Sequence, residues 1–388
     1  MKFILKHLES VARLQKKYSL PMLIGIILIT LIMLSGLANL TIDTDISASM
    51  PDDLPVYITN DKITDKFGSQ DVIILLLSLD SDLNYQDAPK DIRTKDIIDY
   101  LYSLETALKK ESSIEDAVSL GGFLHDVPID SLKNTIEGSE QLRGFVSDDY
   151  SDTLIYIITD ASSEKKVNSA TKLVQEKIEG LSIPSGTKIT ISGNPPIRIR
   201  ISEFLKSDAV FTISLASSLI LLLLILVKKS FTKGVLIFTP LALGLVWTLG
   251  SMGWVNLPLS TGTVGIGAMI LGLGVEYGVF MHTRYDEERH NGKTQSQALK
   301  IAVPSVGNAL SGSGLTTMAG FLALTLSTMP LLQDLGLTLA LGIMSCLIAT
   351  IIAMPVIIIY EEKLEYFITY RNHQKITRKK ENLRSGLE

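Results

Sequence analysis

The sequence predicts an α-helical polytopic membrane protein with six transmembrane helices and one α/β domain outside the bilayer. The first observation is the distribution of charge. Residues 18–42, 209–227, 234–275, 301–333 and 335–360 carry no Asp, Glu, Lys or Arg. A bilayer-spanning helix needs about 20 such residues, and lipid offers the backbone no hydrogen-bonding partner, so these runs are expected to be helical. The second observation is that 234–275 is too long for one helix. Its middle, Ser251-Met252-Gly253-Trp254-Val255-Asn256-Leu257-Pro258, supplies turn formers and a tryptophan suited to the headgroup boundary. The third is that 43–208 reads as an ordinary folded domain. These observations place spans at 18–40, 208–228, 233–252, 260–282, 302–328 and 335–360.

Charge sets the expected orientation. The formal net charge of −5 hides a strong asymmetry. Lys2, Lys6, Arg13, Lys16 and Lys17 face one acid, Glu9, at the N-terminus. Lys228, Lys229 and Lys233 follow the second span, and Arg371, Lys375, Arg378, Lys379, Lys380 and Arg384 lie in the tail, while acids exceed bases over 43–208. Short basic loops stay in the cytoplasm. Both termini are therefore expected inside a prokaryotic inner membrane, with a cytoplasmic loop at 283–301 and a basic tail at 361–388. Ile4, Leu5, Leu8, Val11 and Leu14 fall near helical spacing among lysines, so 1–17 reads as an interfacial helix on the inner leaflet. The first span exceeds a signal-peptide core and shows no small-x-small cleavage site, which favours an uncleaved helix. Cys346 is the single cysteine, so no intrachain disulfide forms.

The domain at 41–207 alternates strand and helix. Residues 51–68 open with turn formers and become helical. Val72-Ile73-Ile74-Leu75-Leu76-Leu77 within 71–79 is a buried strand, and Ile97, Ile98, Leu101, Leu104 and Leu108 share one helical face over 94–110. A strand at 114–120, a polar helical insert at 131–143, a strand at 153–159, a helix at 164–179 and a strand at 188–192 complete it. Without the insert this is βαββαβ, the ferredoxin-like split arrangement. His125 stands alone, and no metal cluster, nucleophile motif or phosphate loop appears. The sequence therefore predicts no enzyme, no cofactor, no metal and no nucleic-acid partner.

Glu276 is the most informative residue. It lies in the fourth span, about two turns before Arg284, in Leu271-Gly-Leu-Gly-Val-Glu-Tyr-Gly-Val-Phe280. A charged side chain at that depth costs roughly 2.5–3.5 kcal/mol. It could be a structural group that pairs with a neighbour or snorkels, a ligand contact in a cavity, or a proton carrier. No Lys or Arg sits at comparable depth in any span. Gly265 and Gly272 lie on its side of the helix, and Gly274 and Gly278 have the GxxxG spacing that permits close helix approach. In the fifth span Asn308, Ser311, Gly312 and Thr316 form a small polar stripe at comparable depth, although such residues also serve plain helix packing.

These motifs resemble the resistance–nodulation–division (RND) transporters, in particular their MMPL branch. The carrying segments are Gly272-x-Gly274-x-Glu276-Tyr277 followed by Arg284-Tyr285-Asp286-Glu287-Glu288, then Ser313-Gly-Leu-Thr-Thr-Met-Ala-Gly-Phe321, Asp334-Leu-Gly336 and Phe67-Gly68. The family usually has aspartate where this chain has Glu276, and usually carries two such halves in one chain, related by pseudo-symmetry. The resemblance implies a half-size exporter with a porter-type outside domain, driven by the proton gradient and moving a hydrophobic or lipid-like molecule. It implies a relay through Glu276 and Tyr277, and a second copy to complete it: a homodimer first, a trimer as runner-up. The competing expectation is a non-transporting accessory protein like SecD and SecF or a sterol sensor, whose fourth helices lack the Glu-Tyr pair.

Overall fold

The computed structural model describes residues 2–43, 51, 54–67, 72–80, 89–159, 164–260 and 262–363. The predicted basic tail beyond 363 lies outside them. The chain divides into two compact units, Met1–Pro51 with Phe204–Glu388, and Asp52–Glu203.

The first unit is helical. It contains α1 (Lys2–Lys17) and α2 (Ser19–Leu37), and receives α9 (Asn194–Lys228), which begins in the other unit. It continues through α10 (Phe231–Trp254), α11 (Ile266–His290), α12 (Gln295–Ala323) and α13 (Pro330–Ile348). Among the described residues six helices, α2 and α9–α13 with the continuation of α13 to Lys363, are long and apolar enough to cross a membrane. The protein is a multi-pass membrane protein. Ile270, Tyr277, Met281, Val303, Ile343 and Met354 belong to its central apolar cluster.

Glycine decides which helices touch. A Cβ at Gly250 would collide with the Met33 carbonyl, and one at Gly253 with that of Gly36. Residues of α2 and α10 therefore meet backbone to backbone. Two tryptophans fasten the same contact, Trp247 Nε1 donating to Thr30 Oγ1 at 3.0 Å and Trp254 Nε1 to the Ile32 carbonyl at 3.1 Å. After α10 the chain turns through Asn256 at φ 54°, a left-handed conformation that asparagine tolerates.

Two features of this unit add to the expected organisation. The sequence places 283–290 in a loop, yet α11 runs on to His290. The reason is local: His282–Asp286 at 3.2 Å and Arg284–Glu288 at 2.7 Å are i, i+4 pairs that support a helix past the apolar stretch. The second concerns α1. Its inward stripe of Leu8, Ala12 and Gln15 is buried, and Leu8 seats on Gly307 of α12, where a Cβ would lie 3.1 Å from its Cδ1. The stripe thus faces protein. Gln15 Nε2 donates to the Ile351 carbonyl at 2.8 Å and the Ile352 carbonyl at 3.4 Å. Those carbonyls lie in a π-helical turn, Ala349–Ala353, where the ordinary i→i−4 ladder slips.

The second unit holds α3 (Pro55–Phe67), β1 (Val72–Leu79), α4 (Lys95–Lys109), β2 (Ile114–Val118), short helices α5 (Leu120–Leu124), α6 (Ile129–Gly138) and α7 (Glu140–Arg143), β3 (Asp152–Thr159), α8 (Glu164–Gly180) and β4 (Thr187–Gly193). The strands form one sheet in the order β2-β3-β1-β4, each neighbouring pair antiparallel. Period-two alternation buries Ile73, Leu75, Leu77, Ile155 and Ile157 in one cluster with Leu101, Leu104 and Leu108 of α4 and Val174 and Ile178 of α8.

Two polar clusters tie the helices in. Glu105 on α4 is buried, and its Oε2 accepts from Ser119 N (3.0 Å), Ser119 Oγ (2.6 Å) and Gly122 N (3.1 Å), holding the start of α5. Asp91 pairs with Arg93 at 2.7 Å and Lys133 at 3.1 Å, and the Arg93 guanidinium lies 3.4 Å from the Tyr150 ring centroid. Burial opposes the Asp91 charge, but hydrogen bonds from Arg93 and Lys133 outweigh it and hold the carboxyl at about 2, against its ordinary 3.8. A depressed carboxyl stabilises the fold above its unfolded value and loses that contribution as pH falls. The wild type is expected to lose stability from about pH 4 down to about pH 2 more steeply than Asp91→Asn. Circular dichroism of acid unfolding measures this, and identical acid limbs would remove Asp91 as a contributor.

Candidate functional site

Glu276 and Tyr277 sit about 100° apart around α11, as successive helical residues must. The structure uses that angle to separate them. Tyr277 is 1 % exposed and points into the bundle, its hydroxyl 3.7 Å from where a Cβ on Gly314 of α12 would stand. Glu276 is exposed on the opposite side. Among the described residues nothing hydrogen-bonds or ion-pairs with its carboxylate.

The surroundings of Glu276 are small and open. Met269, Gly272, Leu273 and Phe280 share the exposed side of α11, and Gly312, Ser313, Thr316 and Gly320 that of α12. A Cβ at Gly272, Gly312 or Gly320 would meet no atom within 4 Å. The predicted polar stripe divides. Ser311 is buried and donates to the Gly307 carbonyl at 2.6 Å, whereas Gly312 and Thr316 are exposed, Thr316 Oγ1 donating to the Gly312 carbonyl at 2.9 Å. Asn308 is half-buried between the two groups.

The glycines of the GxxxG spacing face inward. A Cβ at Gly274 would stand 3.1 Å from Cys346 Sγ on α13, and one at Gly278 would stand 2.8 Å from the Ile237 carbonyl on α10. Gly274 and Gly278 therefore pack α11 against its own chain, while Gly272 stays open. Spacing alone could not say which neighbour these glycines serve. Gly314, the seat of Tyr277, lies within the Ser313–Phe321 segment, but its spacing gave no sign of which side chain it faces.

Further along α11, Thr283 and Glu287 continue the stripe of Glu276 at i+7 and i+11. Beside them His282 is buried with Nδ1 3.2 Å from the Asp286 carboxylate, which also pairs with Lys233 at 3.2 Å. Tyr285 donates to Glu362, and Arg289 Nε pairs with the same carboxylate at 3.2 Å, joining the end of α11 to the continuation of α13.

The sequence model of the MMPL family matches residues 51–377. The chain belongs to the MMPL family. MMPL and RND proteins are transporters rather than enzymes. The chain is 30 % identical over 366 residues to the membrane protein MJ1562 of Methanocaldococcus jannaschii, covering 92 % of this chain and 94 % of that one. It is 24 % identical over 200 residues to the siderophore exporter MmpL5 of Mycobacterium tuberculosis, covering 50 % of this chain and 21 % of the exporter. The chain thus matches an MMPL relative of its own length almost end to end, and only about a fifth of the long mycobacterial one.

Proposed function

We propose that this chain is one half of a proton-driven RND exporter of a hydrophobic or lipid-like molecule, completed by a second copy of itself. The observation that carries the reading is Glu276, a carboxylate without a partner among the described residues, on an exposed face of small residues. Left against lipid it is costly. A twofold interface through α11 and α12 would cover the face in both copies at once, and Gly272, Gly312 and Gly320 let backbones approach closely there. Each proton crossing the membrane gains about 2.3 kcal/mol per 100 mV. Glu276 is the carrier in this scheme. Tyr277 works from inside its own bundle, fixing the α11–α12 packing from which Glu276 projects, with Asn308, Ser311, Gly312 and Thr316 behind it. The sheet order β2-β3-β1-β4 supports a ferredoxin-like βαββαβ porter domain. The basic loops support cytoplasmic termini with that domain outside. The outward direction follows the name of MmpL5.

Reconstituted vesicles test the coupling. Movement of a fluorescent lipid analogue or lipophilic dye should follow an imposed pH gradient, and movement indifferent to the gradient would remove proton drive. Ser139→Cys should react with an impermeant maleimide from outside intact cells, in a Cys346→Ser background, and Lys229→Cys should not. For the pairing, Gly272→Cys is expected to crosslink two copies, while Gly274→Cys and Gly278→Cys should not. A monomer that transports would defeat the shared path.

A further inference from the structure

The end of α9 that bears Lys228 and the end of α11 form an open surface cavity of about 400 Å³ lined by Lys228, Thr283, Asp286, Glu287, His290 and Asn291. Its two acids already have other partners. Asp286 pairs with Lys233 and His282, each at 3.2 Å, and Glu287 pairs with Arg284 at 2.9 Å. Lys228 has no such partner among the described residues. Its Nζ donates to Thr283 Oγ1 at 3.0 Å, a neutral hydroxyl. His290 places Nδ1 against its own helix at the Asp286 carbonyl, 2.7 Å away, which leaves Nε2 unengaged there. The wall therefore offers a half-buried ammonium with its charge unmatched, the Asn291 amide and an imidazole able to take a proton.

We propose that this cavity binds a phosphate group, that of an anionic membrane lipid, with Lys228 as its principal cation. Basic pockets between membrane helices on the cytoplasmic side suit anionic headgroups. Both α9 and α11 are long and apolar enough to cross the membrane, and exposed Leu222, Leu223, Leu226 and Val227 bring the apolar surface of α9 up to Lys228, where acyl chains can lie. Free phosphate shares the headgroup chemistry but brings no chains to lie along those helices. The assignment of leaflet rests on the orientation proposed above. The binding itself does not, nor does it require that the protein transport anything.

The test uses full-length protein in neutral detergent, with the thermal unfolding midpoint read as phosphatidylglycerol, phosphatidylcholine or inorganic phosphate is added. Phosphatidylglycerol should raise the midpoint by mass action and phosphatidylcholine should not. Lys228→Gln should bind phosphatidylglycerol about fivefold more weakly, the effect of one charge at a membrane surface. Lys228→Arg should restore binding, and Lys229→Gln, at the exposed neighbour, should leave it unchanged. Equal losses in Lys228→Gln and Lys229→Gln would reduce the site to diffuse surface charge and overturn the proposal, as would a Lys228→Gln protein that binds like wild type. A Lys228-dependent shift of the same size with inorganic phosphate would overturn the lipid assignment. Because no gradient is present, these outcomes are read independently of proton coupling.

Discussion

Glu276→Gln is expected to cut gradient-driven transport by roughly 100-fold or more, the scale on which a positioned proton-transfer group acts, while leaving the fold in place. The structure makes this substitution unusually clean. Glu276 is exposed and nothing among the described residues bonds its carboxylate, so the amide breaks no ion pair and strands no donor there. Stability should stay within about 0.5 kcal/mol of wild type, as for surface changes generally. Glu276→Asp keeps a titratable group on a shorter arm and should retain partial transport, since aspartate is the residue the family usually carries there. Initial rates in vesicles with an imposed pH gradient measure all three proteins. Full activity in the Gln variant would exclude the proton role. An unfolded Gln variant would point instead to a structural carboxylate whose partner lies on the second copy.

Glu105→Ala should produce the largest loss of stability. The carboxylate is 6 % exposed, accepts three hydrogen bonds through Oε2 and pairs with Lys109 at 3.0 Å through Oε1. The same contact raises the Lys109 pKa above its ordinary value. Alanine leaves the Ser119 and Gly122 amides facing a void, while Lys109 keeps Asp116 at 3.2 Å; two orphaned buried donors put the cost at about 2–6 kcal/mol. Glu105→Gln keeps an acceptor oxygen but loses the charge, and should cost about 1.5–3 kcal/mol. Limited proteolysis of the full-length protein, followed at sites in 114–145, reads the difference. Cleavage rates equal to wild type in both variants would show that α5 is held by its apolar contacts alone.

The spans were legible because an uncharged run long enough to cross a bilayer is far longer than a soluble helix or strand needs. The α/β unit was legible because Ile73, Leu75 and Leu77 alternate at strand period, while Ile97, Leu101, Leu104 and Leu108 recur at helical period. Glu276 stands out in the sequence for its cost in lipid. Which way its neighbours face was not legible. Gly272, Gly274 and Gly278 look alike in sequence, yet one lies open and two abut backbone or side chains of α10 and α13. Tyr277 reads as the companion of Glu276, but its burial is decided by α12 and α13, far along the chain. Glu105 stands at i+4 from Leu101 and i+7 from Ile98, on the apolar side of α4, and helical spacing names no partner for it. Only the fold of 114–122 back onto α4 reveals its donors.

The contact of Gln15 with the π-helical turn has a consequence for how the protein is made. Its two ends lie 336 residues apart in the chain. During synthesis α1 emerges long before the carbonyls of Ile351 and Ile352 exist. Leu8 can seat on Gly307 once α12 has been made, but Gln15 must wait for the continuation of α13. Closing so long a loop is an entropic cost that no earlier contact of Gln15 offsets. The Gln15 end of α1 is therefore a clasp fastened late in biogenesis, and a nascent chain stalled before residue 351 would leave that end open to proteases that spare the finished protein.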